Sequence, residues 1–353
     1  MDYKNASNKP PVGVIGAGSF GTAVANLLAE NGPVLLYSRK PERVSEINSS
    51  KKSAGQAIHQ NIIATSDIEL LCKECYLLFP SVPSGNFRAM LKDFAPYLRP
   101  DHILVHTTKG LDIINRSSDN LFVQSTSFEP ADVLTMSKVI MQETNVKRIG
   151  CMSGPNLAKE LAQYQPAATV IASRFDEVIR EASAAIKSPR FQVYTSHDIF
   201  GVELAGVLKN TMAIAAGALN GMGYGQNAMA FLLSRGIREM IKLGTALGAD
   251  TSAFLGLAGV GDLIATCTSP LSRNYTVGYR IAQGESLEYI ISTSSEIAEG
   301  LKTVNICNIL AQKLKLDLPI INTTYRVLFE DWEANQGLSY LMNYKNSKDV
   351  DYV

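Results

Sequence analysis

Lys209 sits in the middle of a run, Phe200 to Leu219, that reads as a helix. On a 3.6-residue period its neighbours are Val202, Ala205, Gly206, Met212, Ala213 and Ala216, all apolar or small. A lysine on such a face is costly unless it projects into a cleft, here between two domains, or meets a partner. Desolvation lowers an ammonium pKa, which makes a lysine usable as a general base near neutral pH. A snorkelling lysine whose ammonium reaches solvent fits the same pattern. A second group of residues bears on the choice. Three glycines, Gly256, Gly259 and Gly261, approach Asp262, and Ser272-Arg273-Asn274 follow. Small residues let a backbone approach a ligand, and Arg with Asn makes a fork of donors suited to phosphate. A surface arginine at 273 and a helix N-cap at Asp262 are the plainer readings.

The third chemical signal is the turn Gly16-Ala-Gly18-Ser-Phe-Gly21. It follows a short β-branched strand, Val12 to Ile15, and opens a helical segment from Thr22 to Glu30. Gly32-Pro33 ends that helix, and Val34 to Tyr37 is a second strand. This strand–turn–helix–strand context is what a dinucleotide fingerprint requires. Gly16 makes the tight turn, Gly18 lets a pyrophosphate approach the backbone, and Gly21 lets the helix lie close to the strand. The helix N-terminus adds N–H groups and a positive dipole end. After the second strand comes Tyr37-Ser38-Arg39-Lys40, with no carboxylate to hold the ribose hydroxyls of NAD. A guanidinium and a hydroxyl there suit the 2′-phosphate of NADP, so NADPH is expected to be used at least as well as NADH. Arg39 as a simple turn residue stays open.

The elements that must position these residues form an α/β pattern and then an all-helical one. Strand-like segments at Cys75–Phe79, Ile103–Thr107, Val146–Met152, Ala168–Ala172 and Phe191–Thr195 alternate with helices or loops, as in a doubly wound Rossmann-type sheet. Polar turns follow three of them: Pro80 to Ser84, Thr107 to Gly110 and Ser153 to Asn156. Ligands of such sheets bind beyond the carboxyl ends of strands. Residues 113–137 are polar and aperiodic. From Phe200 onward the periodicity is helical. We therefore expect a flexible arm over residues 1–10, a dinucleotide-binding domain over 11–197, a helical substrate domain over 198–340 and a polar tail over 341–353.

Composition narrows the class. Of 353 residues 46% are hydrophobic and 19% charged, and thirty-three Lys and Arg balance thirty-three Asp and Glu. Neither a nucleic-acid binder nor a membrane-surface protein is favoured by that balance. No apolar run reads as long enough for a membrane span, and the polar N-terminus has no signal-peptide core, which points to the cytoplasm. Five cysteines at irregular spacing do not make a disulfide scaffold. Cys72-Lys-Glu-Cys75 lacks the second pair of a zinc site and reads as packing, and no metal ligand set is apparent.

Taken together, these pieces resemble bacterial-type NAD(P)-dependent glycerol-3-phosphate dehydrogenases from Val12 to about Phe329. The resemblance is carried by Gly16-Ala-Gly-Ser-Phe-Gly-Thr-Ala23, Val82-Pro-Ser84, Thr108-Lys-Gly110, Ser153-Gly-Pro155, Glu203-Leu-Ala-Gly-Val-Leu-Lys-Asn210, Gly259-Val-Gly-Asp-Leu263, Ser272-Arg-Asn274 and Ala298-Glu-Gly300. It implies Lys209 as the proton acceptor, and Lys109, Gly154, Asn156, Asp262, Ser272, Arg273 and Asn274 as substrate contacts. It implies cofactor contacts at Ser19, Phe20, Arg39, Lys109, Ala158, Arg273, Ile297 and Glu299, with NADP or NAD as the cofactor. Phe20 stands where the family often has Trp, Asn156 where many members have Ser, and residues 113–137 are longer than is typical.

The implied reaction is sn-glycerol 3-phosphate + NAD(P)⁺ ⇌ dihydroxyacetone phosphate + NAD(P)H + H⁺, supplying glycerol 3-phosphate for phospholipid synthesis from a homodimer. Two alternatives remain. One is another hydroxyacid or acyl-CoA dehydrogenase on the same two-domain plan, with His197-Asp198 as the rival dyad. The other is a dinucleotide sensor without turnover.

Overall fold

The computed structural model describes residues 9–114, 128–294 and 298–345. Most of the expected arm (1–8), part of the polar loop (115–127), and part of the tail (346–353) lie outside the described residues. The chain forms two compact units. One comprises residues 1–112 and 134–200, the other residues 113–133 and 201–353. Between these units the chain passes from Phe200 to Gly201, and the described residues 113–114 and 128–133 group with the helical unit.

The first unit is built on an eight-stranded sheet: β1 (Val12–Ile15), β2 (Val34–Tyr37), β3 (Ile62–Thr65), β4 (Leu77–Pro80), β5 (Ile103–His106), β6 (Arg148–Ser153), β7 (Ala167–Ser173) and β8 (Phe191–Ser196). Their order is β8-β7-β6-β5-β4-β1-β2-β3. All neighbours are parallel except β6 and β7. In register, Val14 lies between Leu36 and Phe79. Runs such as Leu77 to Pro80 and Ile103 to His106 are buried at every position, as strands covered on both faces must be. Helix α1 (Ser19–Ala29) packs its small residues, Thr22 to Ala25, and Leu27 and Leu28 into the same core. Helix α2 (Pro41–Ser50) follows β2. The β3 strand and the small hairpin of Lys52–Ser53 with Gln56–Ala57 are elements that periodicity alone does not reveal. The strands expected near 75, 103 and 146 begin or end one or two residues away.

From residue 201 onward every described secondary-structure element of the second unit is a helix, joined by short turns. Its central element, Ile199–Gly221, is long and apolar enough to cross a membrane, contrary to the expectation that no run reaches that length. Within the fold 89% of its most apolar 18-residue window is buried, so the helix is a core element. Against it lies the helix Arg273–Ala282. A Cβ on Gly278 would meet the Ile214 carbonyl oxygen at 1.8 Å, so glycine is what lets the two backbones touch. That crossing places Asn274 against Asn210.

Candidate active site

In the first unit the carboxyl ends of β6, β5, β4, β1 and β2 lie side by side, and the turn-rich segments expected to bind ligand all emerge there. At Gly16 φ is +119°, and a Cβ would stand 2.7 Å from the Ser81 carbonyl oxygen. A Cβ on Gly21 would lie 1.9 Å from the Gly16 carbonyl oxygen, so the helix cannot sit this close to the strand with any other residue. Gly18 differs: a Cβ there would touch nothing within 4 Å. No packing demand explains that glycine, whereas a ligand approaching the turn does. The N-terminus of α1 has no side-chain cap and no acidic residue in its first turn. Its first N–H groups lack intrahelical partners, as at any helix start, and with the dipole they suit a pyrophosphate. These residues fit a dinucleotide.

The neighbouring turns are tied to one another. Thr107 Oγ1 donates to Ser81 Oγ at 2.9 Å, and Thr108 Oγ1 to the Val82 carbonyl at 2.6 Å. Lys109 Nζ donates to the Gly154 carbonyl at 3.1 Å, and Asn156 Nδ2 to the Ala168 carbonyl at 2.9 Å. Lys109, Gly154 and Asn156 are thus gathered at one strand edge, with the Asn156 amide engaged in holding the Gly154 turn onto β7. Ser19 is exposed, its hydroxyl receiving Gln56 Nε2 at 3.2 Å; Phe20 is half-buried, and Ala158 opens the short helix Ala158–Ala162. Arg39 is exposed just beyond β2.

In the second unit Lys209 is buried, and its ammonium donates to Asp262 Oδ1 and, at 2.6 Å, to Thr266 Oγ1. Thr266 Oγ1 in turn donates to the Asp262 carbonyl at 2.6 Å. The lysine therefore does not snorkel; it is fixed by an acidic partner. Asp262 is not an N-cap. It is the first residue of the helix Asp262–Cys267, entered through a π-helical turn, Leu257–Gly261, and its side chain is given to Lys209. Wide turns of this kind recur at functional sites because they re-aim a side chain. Cys267 beside this pair is pushed up to about 12, first by burial, which the nearby ammonium only partly offsets.

Ser272 caps the helix Arg273–Ala282, its hydroxyl accepting from the Tyr275 N–H. Arg273 is exposed. Asn274 is buried, donating to Asn210 Oδ1 at 2.9 Å and accepting from the Gly300 N–H at 2.9 Å. The amide expected to join Arg273 in a donor fork is thus a brace between two other site segments. Glu299 opens the helix Glu299–Lys313, and Ile297 lies outside the described residues. Two residues carry no role in the sequence reading yet belong to the cluster: Thr266, and Asn210 held by Asn274. The i, i+4 spacing of Asp262 and Thr266 was the available signal for the first. His197, the rival base, makes its contacts away from the Lys209 cluster. Its Nε2 faces Asp176 at 3.4 Å and its Nδ1 the Ser173 carbonyl, both at an exposed position in the first unit.

Two family models match, the NAD-dependent glycerol-3-phosphate dehydrogenase N-terminus over residues 11–179 and the C-terminus over residues 198–339. A glycerol-3-phosphate dehydrogenase (NAD(P)⁺) of Saccharophagus degradans is 40% identical over 99% of this chain and 94% of its own length. One from Pseudomonas putida is 38% identical over 98% of each. The crystal structure of glycerol-3-phosphate dehydrogenase from Coxiella burnetii superposes with a TM-score of 0.83 at 29% identity, covering 95% of this chain and 99% of that one. With both halves matched and relatives aligned end to end, the chain belongs to the NAD-dependent glycerol-3-phosphate dehydrogenase family.

Proposed function

We propose that Lys209 is the acid–base residue with which this chain interconverts sn-glycerol 3-phosphate and dihydroxyacetone phosphate. Membership of the family makes the chain an oxidoreductase that uses NAD or NADP. The bound nicotinamide coenzyme supplies or accepts the hydride. The protein's own tasks are to orient the reacting carbon, to move one proton and to hold a phosphate. When the alcohol is oxidised, the Lys209 amine takes the hydroxyl proton; when the ketone is reduced, its ammonium gives that proton back. Asp262 and Thr266 fix the nitrogen in place, and Asn274 fixes Asn210 beside it in sequence. Arg273, exposed on the first turn of its helix, is the phosphate ligand, and Lys109 a further substrate contact. The Gly16–Gly21 turn and α1 hold the coenzyme pyrophosphate, with Arg39 on the adenosine side. By the same reading the protein works as a homodimer in the cytoplasm and supplies glycerol 3-phosphate to phospholipid synthesis.

The observation that carries this is the buried Lys209 locked onto Asp262 and Thr266. Purified protein given NADPH should consume it on addition of dihydroxyacetone phosphate, and far more slowly with unphosphorylated dihydroxyacetone. Turnover with 2-keto acids or acyl-CoA substrates instead would place the chain with the other dehydrogenases of this plan. NADPH binding without turnover of any of them would make it a sensor.

A further inference from the structure

Beyond β2 the chain presents three cations, Arg39, Lys40 and Arg43. Among the described residues none of the three has a carboxylate partner within ion-pair distance. Arg39 and Lys40 are exposed. Arg43, in the first turn of α2, is half-buried and differently placed. Its Nη2 donates to the carbonyl of Ala17, the residue between Gly16 and Gly18, at 2.6 Å. The Ala17 carbonyl is also reached by Ser53 Oγ at 3.3 Å, and Ser53 is bonded to Thr22 of α1 at 2.8 Å. One guanidinium therefore bridges the start of α2 and the glycine turn. In a dinucleotide-binding sheet these two segments flank the adenosine ribose, whose 2′-oxygen lies off the end of the second strand.

A guanidinium carries five N–H donors in a rigid fork. Arg43 uses one on Ala17 and keeps the rest of the fork. Because that bond already fixes the side chain, little rotamer freedom is left to lose when an anion arrives. We propose, on the reading that this chain uses NADP(H), that Arg43 is a second guanidinium for the adenosine 2′-phosphate, pre-positioned by the Ala17 carbonyl. Arg39 and Lys40 then bring charge from the solvent side, and Arg43 brings directed hydrogen bonds from the floor of the site. Selectivity for the phosphorylated coenzyme depends on Arg43 as much as on Arg39.

The test is binding, not turnover. Dissociation constants for NADPH, NADH, adenosine 2′,5′-bisphosphate and 5′-AMP are measured by fluorescence titration and calorimetry on the parent, Arg43→Gln, Arg43→Lys and Arg39→Gln. Arg43→Gln should weaken NADPH and the bisphosphate by about 10- to 100-fold, the effect of one charge-assisted contact, while NADH and 5′-AMP change by less than about twofold. Arg43→Lys, which keeps the charge and loses the fork, should fall between, and it serves alone if the glutamine variant does not fold. Equal weakening of NADPH and NADH would show that Arg43 only braces the glycine turn, and unchanged constants would show that it does not meet the phosphate; either overturns the proposal. Absence of dihydroxyacetone phosphate reduction would instead count against the functional reading and leave these binding ratios intact.

Discussion

At the glycine turn the working groups are backbone amides, delivered by one contiguous stretch from Gly16 to Gly21. At Lys209 they are side chains drawn from 209, 210, 262, 266 and 274, with a backbone N–H from Gly300. The first site is a consequence of chain geometry: two glycines let a helix start against a strand, and a third leaves a space. The second is a consequence of packing, since its partners meet only when separate helices settle against each other. Backbone-built sites hold ligands whose charge is fixed. A site that must gain and lose a proton needs a titratable group, and burying that group obliges the fold to supply it with a partner.

Breaking the second site should therefore cost more stability than breaking the first. Asp262→Ala leaves the Lys209 charge buried without its carboxylate, and a loss of about 3–5 kcal/mol is expected. Melting temperature reads it, and adding Lys209→Met to that variant should recover much of the stability while turnover stays lost. Stability that fails to return would mean the pair is not the source of the loss. The next largest effect belongs to the turn. Gly21→Ala drives a methyl into the Gly16 carbonyl, and NADPH affinity should fall by about a hundredfold or more, some 2.7 kcal/mol. Little change in the NADPH dissociation constant would show that the turn tolerates displacement.

How much of each site was legible in the sequence follows the same division. The Gly16–Gly21 turn could be read because its signal is local, with strand, glycines and helix adjacent in order. Lys209 could be picked out as anomalous on its apolar face, but not its bonds to residues 53 and 57 positions away. Asn274 read as a phosphate donor because its neighbour is arginine; its bond to Asn210, 64 residues away, has no local signal. Strand β3, Ile62–Thr65, is as short as β1 and β2 but has no glycine fingerprint beside it to mark it. Residues 113–133 have no apolar period, so nothing local showed that the described ones among them group with the helical unit.

Proton linkage sharpens the contrast further. In the helical unit Glu239 is buried and accepts the N–H groups of Ile320 and Ile321 at 2.7 and 3.0 Å, at the start of the helix Pro319–Phe329. Burial pushes it up to about 8, against the two N–H bonds that pull it down. A folded-state value above the unfolded one means the native protein holds the proton more tightly. Stability should then decline as pH rises from about 5 to 8, by at most about 1.4 kcal/mol per pH unit from this group. Glu239→Gln should flatten that decline in melting temperature, whereas an unaltered slope would assign it to other groups. The smallest effect is expected at Ser272, whose hydroxyl caps a helix. Ser272→Ala should cost about 1 kcal/mol of stability. A severalfold rise in KM for dihydroxyacetone phosphate beside that loss would show that Ser272 also contacts substrate, and an unchanged KM would leave it a cap alone.

The central claim is that chemistry resides in Lys209 and coenzyme affinity elsewhere. The direct test is Lys209→Ala, with kcat for dihydroxyacetone phosphate reduction and the NADPH dissociation constant measured on the same preparation. Loss of a positioned acid–base group should lower kcat by about 10²–10⁴, with NADPH affinity within about twofold of the parent. Near-normal turnover, or a loss of NADPH affinity that accounts for the loss of rate, would contradict it.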